Sequence, residues 1–175
     1  MQPETRSRLP DEPVVVYDTN CWIHGITESE PAYALYFRQL LRDEVPIAVS
    51  AYIYNEVIEA FARGQDAGDD EWREQRGNFA EIVAKADNVV GPRRAEVEEM
   101  DVGTVRRSAE ATMLSFLTGV QSKDIPVLTY AWACPGETLL FTCDRSFARF
   151  EPADTPLSGI RMEYLPSRLN LEDEG

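Results

Sequence analysis

The chain has 175 residues, enough for one domain with a sizeable core, and an ordinary globular composition with 43% hydrophobic residues. Its charge is not ordinary: 31 acidic residues against 17 basic ones leave a net -14, and only two of the basic residues, Lys85 and Lys123, are lysines. That balance excludes a general nucleic-acid binder acting through surface charge, because phosphate affinity comes mainly from Lys and Arg. No apolar run approaches the ~18 residues needed to span a membrane.

An acidic, Lys-poor surface suits a protein that stays hydrated in concentrated salt, where charges are screened within about 3 Å at 1 M. The expected host is halophilic. Cys21, Cys134 and Cys143 are odd in number and lack metal-ligand spacing, so reduced thiols and a cytoplasmic location are expected. The first 13 residues are polar, carry Arg6, Arg8 and Pro10, and do not read as a signal peptide.

In chain order, residues 1–12 read as a disordered lead-in, and 13–17 as a buried first strand, Val14-Val15-Val16-Tyr17, ending on Asp18. A helix is predicted over 31–42, with Tyr33, Tyr36, Phe37, Leu40 and Leu41 at helical spacing. A short strand over 46–49 follows, and Ser50 caps a helix over 51–63 closed by Gly64. From 65 to 103 the composition turns polar and acidic, which reads as an inserted helical arm with a helix at 69–86. A helix over 104–118, broken at Gly119, and another from Asp124 to the stop at Cys134-Pro135-Gly136 come next. A strand at 139–141, a loop at 142–149, a last strand at 160–164 and an acidic tail over 166–175 complete the chain. Strands alternating with helices imply a single α/β domain over 13–165, three-layer α/β/α, with a central mainly parallel sheet.

Two buried strands end in carboxylates, Asp18 and Asp144. Sites in open parallel sheets lie outside the carboxyl ends of the strands, so both acids are expected at one place. Two carboxylates 4 Å apart repel by about 4 kcal/mol at an effective dielectric near 20, so a cation or a proton must lie between them. A hard-metal site follows. On its helix, Glu56 lies at the margin of the apolar stripe Ile53, Val57, Ala60 and Phe61, whereas Glu59 points away from it. Asp124 opens its helix, where capping alone would account for it.

The order and context of these acids resemble the PIN-domain nucleases, which include the toxin ribonucleases of toxin-antitoxin pairs. The matching residues are Val14-Val15-Val16-Tyr17-Asp18-Thr19-Asn20, Ser50 with Glu56, Asp124 at the head of Ile125-Pro126-Val127-Leu128, and Thr142-Cys143-Asp144-Arg145-Ser146-Phe147, with 20 residues from Asp124 to Asp144. Position 148 is Ala where some relatives carry a further acid.

The resemblance implies that Asp18, Glu56, Asp124 and Asp144 are catalytic and bind Mg²⁺ or Mn²⁺, activating a water that hydrolyses an RNA phosphodiester. Asn20 and Thr142 would orient ligands or water. It also implies a homodimer, and an antitoxin partner if the protein is a toxin. Arg145 and Arg149 flank the expected pocket as candidate substrate contacts, and the pairs Arg93-Arg94 and Arg106-Arg107, on or near the arm, suit bidentate phosphate binding, although paired arginines amid so many acids are most often surface ion-pair partners. His24 reads as structural, and Trp22, Trp72 and Trp132 as packing residues more than base-stacking ones.

Two other readings compete. A haloacid-dehalogenase-like phosphatase needs a second Asp two positions after the first, and that position is Asn20. A catalytically inactive PIN-like protein- or RNA-binding module would have no metal to offset four clustered carboxylates.

Overall fold

A computed structural model describes residues 13–27, 45–66 and 70–165. The expected lead-in over 1–12, the helix over 31–42 and the tail over 166–175 lie outside the described residues.

Among the described residues, five parallel strands form one sheet: β1 (Val14–Tyr17), β2 (Ile47–Ala48), β3 (Val89–Val90), β4 (Thr138–Thr142) and β5 (Ile160–Tyr164), in the order β3-β2-β1-β4-β5. All four residues of β1 are buried, which is why its sequence is a continuous apolar run rather than an alternation. Helices cover both faces of the sheet, so the architecture is the three-layer α/β/α one expected. The chain leaves β1 toward β2 and β3, then crosses back to place β4 on the other side of β1. The carboxyl ends of β1 and β4 therefore meet at the point where the strand order reverses.

The helices, in order, are α1 (Thr19–Thr27), α2 (Ala51–Asp66), α3 (Glu71–Lys85), α4 (Arg94–Glu99), α5 (Val102–Arg106), α6 (Ala109–Thr118), α7 (Ile125–Ala133) and α8 (Arg145–Ala148). Ser50 caps α2, its Oγ accepting from Ile53 N at 3.1 Å. Gly119 ends α6 in the left-handed conformation, φ 72°, its N–H donating to Ser115 O. None of these helices is long and apolar enough to cross a membrane.

Four features differ from the sequence reading. Helix α1 begins directly after Asp18, although Thr, Asn, Cys, Trp and Ile are weak helix formers, because Cys21, Trp22, Gly25 and Ile26 gain burial against the core. The helix expected over 104–118 is two helices, since Ser108 turns its Oγ to Ala111 N at 3.0 Å and starts a new one. The loop at 142–149 contains α8, capped by Asp144. The segment 65–103, expected to be a helical arm, holds α3 and α4 but also supplies β3 to the sheet. Val89–Val90 is too short to give a strand signal, yet it pairs with β2, and Asn88 secures the turn by donating to Val45 O at 2.9 Å.

Helix α3 belongs to the core through Phe79, which is fully buried with its ring 5.2 Å from that of Trp22 and 5.4 Å from that of Tyr54. Trp22 in turn meets Tyr17 of β1 at 5.6 Å. All three tryptophans fall on helices, Trp22 and Trp72 packed in and against the core and Trp132 exposed. Phe79→Ala is expected to destabilise the fold by about 3–5 kcal/mol through the cavity it leaves. Urea unfolding should show this, while Glu59→Ala, on the exposed face of α2, stays within about 0.5 kcal/mol of wild type.

Candidate active site

Asp18 follows β1 directly, and its backbone N–H donates to Phe141 O of β4 at 2.9 Å, so the strand ladder itself fixes where its side chain begins. The carboxylate is buried and doubly held: Thr19 N–H donates to Oδ1 at 2.7 Å, and the Thr142 hydroxyl donates to Oδ2 at 2.9 Å. The same Thr142 Oγ1 accepts from Asp144 N at 3.0 Å, so one hydroxyl links the ends of both strands. Burial pushes the Asp18 pKa up, against these hydrogen bonds and Lys123, with the charge of Asp144 adding to the rise.

Asp124 sits at the head of α7 but is not spent on capping it: its backbone is already helical, φ -93° and ψ -15°, and the side chain makes no cap hydrogen bond. It is buried, and its pKa is pushed up to about 7, first by desolvation and then by the charges of Asp18 and Asp144. The charges felt by Asp124, from Asp18 and Asp144, and by Asp18, from Asp144, place the three acids in one electrostatic neighbourhood. Asp144 does cap its helix, Oδ1 accepting from Ser146 N at 2.8 Å and Phe147 N at 3.1 Å, and Oδ2 lies 3.8 Å from Lys123 Nζ.

Glu56 faces inward from α2 as its helical phase requires, and is buried while Glu59 is exposed. Its Oε2 accepts from the Thr19 hydroxyl at 2.5 Å and its Oε1 is paired with Arg106 Nη2. Arg106 Nε also donates to the Tyr52 hydroxyl at 2.8 Å, which itself donates to Lys123 O at 2.7 Å. Burial and the charges of Asp124 and Asp18 raise the Tyr52 pKa, opposed by Arg106.

The four acids named from sequence therefore share one region, but not as a ready-made cage. Among the described residues, no three acidic, histidine or cysteine side chains converge as metal ligands do. Hard oxygen donors still fit Mg²⁺, which keeps several waters and is commonly held by one or two carboxylates together with substrate phosphate. Asp18 and Asp124 present such a pair, each at a cost that a cation would offset.

Of the remaining candidates, Thr142 contacts Asp18, and Asn20 is exposed on the first turn of α1. Arg145 lies over the Tyr164 ring at 5.8 Å, and Arg149 is exposed at the end of α8. Arg94 pairs with Glu98 on the surface. His24 is half-buried on α1. Thr19, Tyr52, Arg106 and Lys123 were not singled out as site residues from sequence. Lys123 carried a signal, being one of two lysines and adjacent to Asp124; Arg106 stood out only as part of the pair Arg106-Arg107, and nothing in the sequence tied it to Glu56, 50 residues earlier. A cavity of about 470 Å³ is walled by residues including Tyr52, Met100, Ile125 and Tyr130, and by none of the four carboxylates.

No protein-family model matches the chain, and no curated protein matches its sequence. Among solved structures, the chain is similar to one in the crystal structure of VapBC2 from Rickettsia felis bound to a DNA fragment from their promoter. The TM-score is 0.53 at 12% identity, over 86% of this chain and 98% of that one. The similarity is one of fold.

For an aspartate whose pKa is raised by folding, the contribution to stability falls as pH climbs from the unfolded value, about 4, through the folded one, about 7. In EDTA, the wild-type protein is thus expected to lose stability across that window. Asp124→Asn should raise the Tm at pH 8 by at least about 3 °C, with the gain closing toward pH 4, as followed by thermal denaturation.

Proposed function

We propose that the protein is a divalent-metal-dependent endoribonuclease, a phosphodiester hydrolase of PIN type, with Mg²⁺ or Mn²⁺ as cofactor. One observation carries the proposal: Asp18 and Asp124 are both buried and electrostatically opposed at the strand-order reversal, and Asp124 serves no capping role that would explain it. In this reading Asp18 and Asp124 hold the ion, with Glu56 and Asp144 completing the acidic set. The chemistry a divalent ion supplies when bound is polarisation of the phosphodiester and activation of water for in-line attack.

The chain's own residues supply positioning. Thr19 N–H and the Thr142 hydroxyl fix both oxygens of Asp18, and the Thr19 hydroxyl fixes one oxygen of Glu56, so the acids are oriented before any ligand arrives. Asn20, Arg145 and Arg149 are the outlying candidates for water or substrate contact. RNA as substrate rests on the resemblance to PIN nucleases. A toxin role with an antitoxin partner rests on that resemblance and on the fold shared with a VapBC2 chain. The alternative, an inactive binding module, leaves the burial of Asp124 without a purpose.

A homodimer is part of the same proposal. Met113, Phe116 and Leu117 form a stripe at helical spacing on α6, with Phe116 88% exposed, an apolar surface that a second copy would cover.

Mn²⁺ is expected to raise the Tm and to support cleavage of RNA at low and high KCl, EDTA to abolish both effects, and Asp18→Asn to remove the Tm shift and lower cleavage at least ~100-fold. No Mn²⁺-dependent shift and no cleavage by the wild-type protein would favour the binding module. For the dimer, light scattering should give twice the chain mass for wild type and the monomer mass for Phe116→Glu; a wild-type monomer would remove the homodimer from the proposal.

A further inference from the structure

We infer that Arg106 is a substrate-binding residue of this site, the group that receives a phosphodiester of a single-stranded polyanion. The inference rests on the nuclease reading above and adds to it a residue that lies outside the carboxylate set.

Arg106 ends α5 and reaches the acids by two independent attachments. One is the ion pair with Glu56; the other is the Nε bond to the Tyr52 hydroxyl at 2.8 Å, with the guanidinium carbon 5.9 Å over the Tyr52 ring. Tyr52 is itself fixed to the backbone of Lys123, next to Asp124. If Glu56 turns to a cation, Arg106 therefore does not leave the site. Tyr52 keeps the guanidinium beside the acids with Nη2 released from Glu56.

Exposure points the same way. The Glu56 side chain is 10% exposed and that of Arg106 38%, so the cation lies on the solvent side of the acid it neutralises. A guanidinium placed there, with a planar fork of donors, suits a phosphate that approaches from solvent. The need is acute in this chain, because a net charge of -14 repels any polyanion and offers little general attraction. Lys123, 45% exposed with Nζ near Asp144, is the second cation of the same rim. Together the two offset half of the four carboxylate charges, and the remainder matches a single divalent ion. With such an ion the site would be close to neutral and would no longer repel a phosphate, and the guanidinium fork would supply directed hydrogen bonds to it.

The test measures binding apart from cleavage. A fluorescein-labelled, mixed-sequence single-stranded RNA oligonucleotide with a cleavage-resistant phosphorothioate backbone is titrated with the full chain by anisotropy, in EDTA and in Mn²⁺, over a KCl series, with wild type, Arg106→Gln, Arg106→Lys and Glu56→Gln. Arg106→Gln is expected to lower RNA affinity in Mn²⁺ about tenfold and to reduce the slope of log affinity against log salt by about 1. Arg106→Lys should keep that slope and lose only part of the affinity. The Mn²⁺-dependent Tm shift of Arg106→Gln should equal or exceed that of wild type, because Glu56 is freed, whereas Glu56→Gln reduces it.

Unchanged RNA affinity and salt slope in Arg106→Gln would overturn the inference and leave the nuclease reading standing. So would a loss of the Mn²⁺ shift as large as that of Glu56→Gln, which would make Arg106 a positioning residue for the acid. RNA binding that depends on Arg106 without cleavage by wild type would instead overturn the nuclease reading and leave Arg106 as a phosphate-binding residue.

Discussion

The cost of keeping carboxylates out of water governs this molecule. Asp18 and Asp124 are buried where the strand order reverses, burial raises the pKa of both, and the charge of Asp18 adds to the rise at Asp124. A fold selected for stability alone would not keep them, since replacing a buried, uncompensated acid by a neutral residue generally stabilises a protein. The surroundings act to contain that cost. Thr142 and Thr19 satisfy Asp18, Arg106 satisfies Glu56, and the end of α8 takes up one oxygen of Asp144. Asp124 receives the least compensation from hydrogen bonds, and so it is the acid whose state depends most on what else enters the site.

The same network shows how a very acidic protein keeps cations beside its buried acids. Among the described residues, a surface pair such as Glu59–Arg63, at 3.9 Å, joins two exposed partners, and little stability is at stake. At the carboxyl edge of the sheet the cations are instead placed individually. Tyr52 connects Arg106 and Lys123 through a single hydroxyl, one as a donor side chain and the other as a backbone acceptor. Specific placement does there what bulk charge cannot do.

Much of this was legible from the residues. The buried strands β1 and β4 announced themselves as apolar runs, and the acids that follow them implied a common location once a parallel sheet was inferred. Glu56 was separable from Glu59 by helical phase alone, and the structure buries the first and exposes the second. What escaped was structure held by tertiary contact rather than local preference. Helix α1 is built from weak helix formers that profit from burial, and β3 is two valines whose partner lies about 40 residues earlier in the chain. The division between α5 and α6 was hidden because both halves are helical, yet it is this break that lets Arg106 end a helix close to Glu56. Long-range pairing of that kind leaves no periodicity to read.

The registry of the central ladder has a consequence for how such a protein can change. Val14 is opposite Thr138 and Tyr17 opposite Phe141, so the starting points of Asp18 and Asp144 are indexed by backbone hydrogen bonds inside the core and not by the loops around them. Sequence drift elsewhere, even a wholesale exchange of surface residues for acids, leaves that index untouched, whereas inserting or deleting one residue within either strand would turn its acid to the opposite face. The exterior can thus be rewritten while the placement of the buried acids is kept, and a likeness of fold at 12% identity is compatible with that freedom.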